Sequence, residues 1–106
     1  MAEGRYQRHV ILELRKRFTG CVILKNDPTY VQGIPDLTIL YMSRWALLEV
    51  KVSIDAPVQP NQEYYVSMLN DMSYAAFICP ENEEDVFREL EQAFKSRRKT
   101  RIPKRQ

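Results

Sequence analysis

The sequence predicts an α/β domain in which helices flank a mixed sheet, with elements in the order αβββαβα. Two kinds of pattern predict it. Apolar residues recur at three- and four-residue steps in residues 3–18 and 81–95, as on helices buried along one face. Short apolar runs at 21–25, 35–42, 45–52 and 74–79, separated by turn-forming segments, have the length of strands. At 106 residues, with neither a repeat nor a dividing linker, the chain is one domain.

The first helix carries Tyr6, Val10, Ile11, Leu14 and Phe18 on one stripe, and Gly20 stops it. Cys21–Lys25 is a first short strand, and Asn26-Asp27-Pro28 turns the chain into a loop reaching Gly33. Pro35–Met42 and Trp45–Val52 form a hairpin joined at Ser43-Arg44. A polar loop holding Pro57 and Pro60 leads to a helix at 61–70, whose Tyr65, Met68 and Leu69 can pack inward. Tyr74–Cys79 is the fourth strand. The helix from Glu81 to Lys95 has Val86, Phe87, Leu90 and Phe94 on one stripe, with acids in its first turn, where the helix dipole favours them.

Composition narrows the function classes. The 44% apolar and 28% charged residues are ordinary for a globular protein. No apolar stretch approaches the roughly 20 residues of a membrane span. The first five residues carry charge with no apolar signal region, so a cytoplasmic protein of a bacterial or virus-infected cell is expected. Cys21 and Cys79 read as reduced, buried thiols. A single histidine, His9, argues against a histidine-based zinc site. No small-molecule cofactor is expected. Lys95–Arg105 holds seven cations and no acid, leaving 9 cations against 14 acids elsewhere, a body charge of −5. Residues 96–106 therefore read as a flexible basic tail on a domain of residues 1–95. Such a tail suits an anionic polymer, or serves only to solubilise.

Chemistry concentrates in Gly33-Ile34-Pro35-Asp36 and, thirteen residues after Asp36, in Glu49-Val50-Lys51. Residues i and i+2 of a strand share a face, so Glu49 and Lys51 project together. An antiparallel pairing of the two strands brings Asp36 to the same end as Glu49. Two acids and a lysine there suit a hard cation beside a phosphate. Mg²⁺ takes carboxylate oxygens, with the Val50 carbonyl adjacent, and Lys51 can offset charge on a phosphoryl transition state. Gly33 permits a phosphate backbone to come close, and Pro35 fixes the chain entering the strand. On the first helix, Glu3 falls roughly 20° from Val10 and Glu13 about 60° to its other side at about 100° per residue. Glu3 thus points inward and Glu13 sideways, and an inward acid costs several kcal/mol unless a cation meets it.

These residues resemble the PD-(D/E)xK nuclease superfamily and, within it, the stand-alone VRR-NUC-type nucleases. Asp36 stands in the aspartate motif, Glu49-Val50-Lys51 in the ExK motif, Pro60-Asn61-Gln62 at the start of the following helix, and Glu3 at the acidic position opening the first helix. The resemblance spans residues 3–94. It implies a restriction-endonuclease-like αβββαβ core with a further C-terminal helix, and Mg²⁺- or Mn²⁺-dependent hydrolysis of DNA phosphodiesters by a homodimer acting on branched DNA such as four-way junctions. It also implies that Asp36, Glu49 and Glu3 ligate or approach metal, Lys51 is catalytic and Gln62 supports the site, with Glu13 the runner-up on the first helix. The Gln62-x-x-Tyr65 spacing departs from the Gln-x-x-x-Tyr signature of RecB-type exonucleases. DNA contacts are expected at Gly33, Lys25 and the tail residues Arg97, Arg98, Lys99 and Arg101, and the Arg15-Lys16-Arg17 cluster could hold phosphates. The competing readings are a DNA- or RNA-binding module of this fold without turnover, and a restriction- or homing-type enzyme that reads sequence.

Overall fold

A computed structural model describes residues 2–95. The tail residues, among them Arg97, Arg98, Lys99 and Arg101, lie outside the described residues. The elements follow the expected order: α1 (Glu3–Arg17), β1 (Val22–Lys25), β2 (Leu37–Tyr41), β3 (Arg44–Val50), α2 (Pro60–Met72), β4 (Tyr74–Ile78) and α3 (Glu83–Lys95). The strands form one four-stranded sheet in the order β1-β2-β3-β4. β1, β2 and β3 are antiparallel neighbours, and β4 lies parallel to β3 after the α2 crossover. This is the α/β architecture that the pattern predicts. No helix among the described residues is long and apolar enough to cross a membrane.

The alternation of β3 explains the layers. Ala46, Leu48 and Val50 are fully buried on one face, with Leu37, Ile39 and Ile78 of neighbouring strands. α1 covers that face with Tyr6, Val10, Ile11 and Leu14, and α3 with Val86, Phe87, Leu90 and Phe94. Leu47 points the other way, into a smaller cluster with Ala75 and with Val66 and Leu69 of α2. Glu49 is next on that α2 face. It is 3% exposed, a charged side chain buried on a strand whose other buried residues are apolar. β3 is thus central and covered on both sides, and whatever polar group it carries inward must find a partner within the protein.

Several boundaries differ from those read in the sequence, each for a local reason. β2 begins at Leu37, because Pro35 has no N–H to offer a ladder and the Asp36 carbonyl accepts from Asn26 N at 2.8 Å. The hairpin turns at Met42-Ser43, one residue early, with Met42 in the left-handed region at φ 57°. β3 ends at Val50. The Lys51 N–H still bonds the Ile78 carbonyl at 2.8 Å, but its ammonium reaches the Pro57 carbonyl at 2.9 Å and curls the chain into a loop. α3 begins at Glu83, because Asn82 is held by its side chain to Cys79 N and to the Phe77 carbonyl. Cys21 and Cys79 are free thiols; Cys79 is buried and Cys21 partly so. His9 lies at 3.1 Å from Glu83 and stacks on Tyr6, which donates to the same carboxylate, so it ties α1 to α3.

Gly33 has a structural use different from the one expected. Its φ is +92°, and a Cβ there would lie 2.8 Å from the Asn61 carbonyl carbon at the start of α2. The missing side chain at Gly33 thus lets the start of α2 pack against this loop. Gly33→Ala should therefore lower stability by about 2–3 kcal/mol, combining left-handed strain with a backbone clash. Urea denaturation should show this as a lower midpoint at unchanged slope.

Candidate active site

Asp36 leaves the loop clamped from behind. The Asn26 side chain donates to the Pro35 carbonyl at 2.8 Å and to Thr38 Oγ1 at 2.8 Å, while its N–H takes the Asp36 carbonyl. The carboxylate turns to β3, where Oδ2 accepts the Val50 N–H at 2.8 Å. Asn26 therefore positions Asp36. In the sequence it reads only as turn chemistry, and no signal short of the fold assigns it this task. Val50 itself faces the core, and its main chain is what meets the site.

Glu49, Lys51 and Gln62 close the other side. Gln62 Nε2 donates to Glu49 Oε2 at 3.0 Å, and Gln62 Oε1 accepts from Lys51 Nζ at 2.9 Å and from Gln59 N at 3.1 Å. Lys51 Nζ stands 3.8 Å from Glu49 Oε2, both side chains largely buried. Pro60 sits in the first turn of α2, where its missing N–H costs nothing, and so carries Gln62 up to the pair. One amide thus joins the acid, the ammonium and the helix start. Lys51 also lines an adjoining cleft of about 200 Å³ with Ile54, Val58 and Phe77.

The electrostatics follow from crowding two acids in a dry place. Burial, then the charge of Asp36, pushes Glu49 up to about 7, against the pull of Lys51. Burial also raises Asp36, opposed by the Val50 N–H, by Lys51 and by the Glu49 carboxyl. Lys51 offsets one negative charge of the pair, and a second cation is needed before both acids are comfortably ionised. The donor set of two carboxylates fits a hard divalent ion. Among the described residues no three acidic, histidine or cysteine side chains converge as a metal cluster, so water and substrate oxygens would complete the shell.

The remaining candidates lie further out. Glu3 is exposed, not inward as expected: it is the first residue of α1, and the stripe that fills the core begins only at Tyr6. Its charge still acts on Glu49. Glu13 pairs with Lys16 and Arg17 at 3.4 Å and turns away from the site. Lys25 is exposed at the end of β1, directly before Asn26. Tyr65 packs on the α2 face, whereas Tyr64 is 61% exposed.

The raised acids set a pH dependence for the metal-free protein. A carboxyl whose pKa is higher when folded binds more protons folded than unfolded, so it stabilises the fold at low pH. That contribution is lost as pH rises from about 4.5 to about 7. In EDTA, wild-type protein should lose on the order of a few kcal/mol across this window. Glu49→Gln, which keeps an acceptor for Gln62, should flatten the loss, read from melting temperatures at stepped pH.

No family model matches the sequence. No curated protein matches it. Among solved structures, one described as a VRR_NUC domain protein superposes with a TM-score of 0.64 at 18% identity, over 90% of this chain and 89% of its own. At that identity the likeness is one of fold: three helices and a four-stranded mixed sheet in a restriction-endonuclease-like arrangement, shared with the VRR_NUC domain protein.

Proposed function

We propose that this chain is a nuclease that hydrolyses DNA phosphodiesters with a divalent cation, Mg²⁺ or in its place Mn²⁺, and acts on branched DNA as a homodimer. The observation that carries the proposal is the meeting of Asp36, Glu49, Lys51 and Gln62 at one end of β3. Asp36 and Glu49 would hold the ion, with the Val50 carbonyl and the Glu3 carboxylate as further protein oxygens. Bound there, Mg²⁺ supplies Lewis-acid polarisation of the scissile phosphate and neutralises charge at the leaving oxygen.

The chain's own groups do the rest. Lys51 brings a positive charge to the phosphate oxygens as negative charge develops on them, and its ammonium can orient the attacking water. Gln62 keeps Lys51 and Glu49 in register, so neither side chain must be ordered when substrate arrives. Asn26 does the same for the Asp36 main chain. Two copies related by a twofold axis would present two sites to the matched strands of a four-way junction. The fold likeness supports a nuclease as the first reading to test.

The test is incubation with labelled four-way junction, flap and linear duplex, in Mg²⁺ and in EDTA. Nicking should require the metal and favour the branched substrates. Asp36→Ala and Lys51→Ala should each cut the rate by at least about 10²-fold while binding survives. Binding with no nicking under any cation would select a DNA-binding module of this fold instead. Mg²⁺ at pH 7.5 should also raise the melting temperature of wild type, and not of Asp36→Asn.

A further inference from the structure

Lys16, Arg17, Lys51, Arg88 and Lys95 each have a carboxylate within 4.0 Å. Arg5, Arg8, Arg15, Lys25 and Arg44 carry no such pair among the described residues, and Arg44 stands apart from the others at the start of β3. The structure thereby divides the Arg15-Lys16-Arg17 run. Lys16 and Arg17 turn to Glu13, Arg17 also to Glu84 and over the Phe87 ring, while Arg15 turns to the opposite flank of α1.

Arg5, Arg8, Leu12 and Arg15 follow one another at steps of three and four, so they form one stripe of α1 beside its buried face. Arg8, Leu12 and Arg15, with Ile11, face Lys25 across a groove of about 320 Å³. Leu12 is 58% exposed there, an apolar side chain among cations. Each wall connects along the chain to residues that act on the carboxylate pair. A Cβ on Gly4 would lie 3.9 Å from Arg8 Nη1, so this guanidinium reaches back over the first turn of α1, the turn that begins with Glu3, whose charge acts on Glu49. On the other wall Lys25 precedes Asn26, whose N–H holds the Asp36 carbonyl.

We propose that this groove between α1 and β1 is a track for the sugar–phosphate backbone of the nucleic-acid strand leading away from the carboxylate pair, its cations on phosphates and Leu12 against the sugars. Like charges gathered with no carboxylate within 4.0 Å among the described residues are costly in the free protein and favourable against an anion. The dimensions agree. From Arg5 to Arg15 the stripe runs roughly 15 Å at about 1.5 Å per residue, the axial rise of about four nucleotides of one duplex strand at roughly 3.4 Å each. A single anion would need one such cation pair, whereas a row of this length matches a polymer. The proposal rests on the nuclease reading for the direction of the strand; the cations and the groove stand without it.

The test is anisotropy of a labelled DNA duplex with the full chain in EDTA, where nothing is cut, between 50 and 200 mM salt. Each phosphate contact contributes about 0.9 to the slope of log affinity against log salt. Arg8→Ala with Arg15→Ala and Lys25→Ala should reduce the slope by about 2–3, so that wild type loses about 40-fold more affinity than the variant over that range. Lys16→Ala with Arg88→Ala and Lys95→Ala removes the same net charge from paired, exposed positions and should change the slope by less than about 1. Melting temperatures check folding; should the first triple unfold, Arg8→Ala alone should lower the slope by about 0.9, and Arg8→Lys should restore it. Equal slopes for the two triples, or a wild-type chain that does not bind DNA, would overturn the track. Groove-dependent binding without nicking would sink the nuclease reading alone, and nicking with an unchanged slope would sink the track alone.

Discussion

A carboxylate held 3% exposed on the central strand is the constraint around which this molecule is arranged. Glu49 lies on the strand that both layers cover, beside a second acid, and water reaches it too little to dissipate its charge. Burial and Asp36 together raise it to about 7. The surroundings answer with three groups: the Gln62 amide, the Lys51 ammonium and, for Asp36, the Val50 N–H. The balance still falls short by about one positive charge. A pocket built in this way is poor core, and under the proposed function a bound dication would relieve the crowding of its two acids.

The rest of the fold serves this arrangement. α1 and α3 bury one face of the sheet completely, which leaves the α2 face free to carry polar groups at its end. α2 begins at Pro60 and presents Gln62 within its first turn, and that approach is possible because Gly33 has no side chain to meet Asn61. Asn26 then ties β1 to the Asp36 segment, so the two acids arrive from neighbouring strands already aligned. The loop after Lys51 returns its Pro57 carbonyl to the ammonium. Each of these contacts fixes a group before a ligand is present, which is how an active site avoids the cost of ordering its side chains on binding.

Charge is distributed with similar economy. Acids at the start of α3 are consumed by His9, Arg17 and Arg88. The flank of α1 that faces Lys25 holds Arg8 and Arg15 with no ion pair among the described residues. Cations of the same helix are thus structural on one side and available on the other, a division that no count of residues could show.

The sequence by itself determined the order of elements, the mixed sheet and the place of Glu49 on β3, with Asp36 and Lys51 just beyond the strand ends, because hydrophobic periodicity and strand alternation are local and survive without tertiary context. Proline and glutamine at a helix start are a local signal for where α2 begins, whereas the site role of Gln62 came only from the family resemblance. Tertiary structure alone decided what depends on neighbours distant in the chain. It set Asn26 behind Asp36 and gave the space at Gly33 to Asn61. It left Glu3 exposed at the end of its helix, where a wheel drawn on one helix could not see that the core starts a turn later. It separated Arg15 from Arg17, because which cation meets an acid is settled by the packing of α3 on α1 and not by spacing along either.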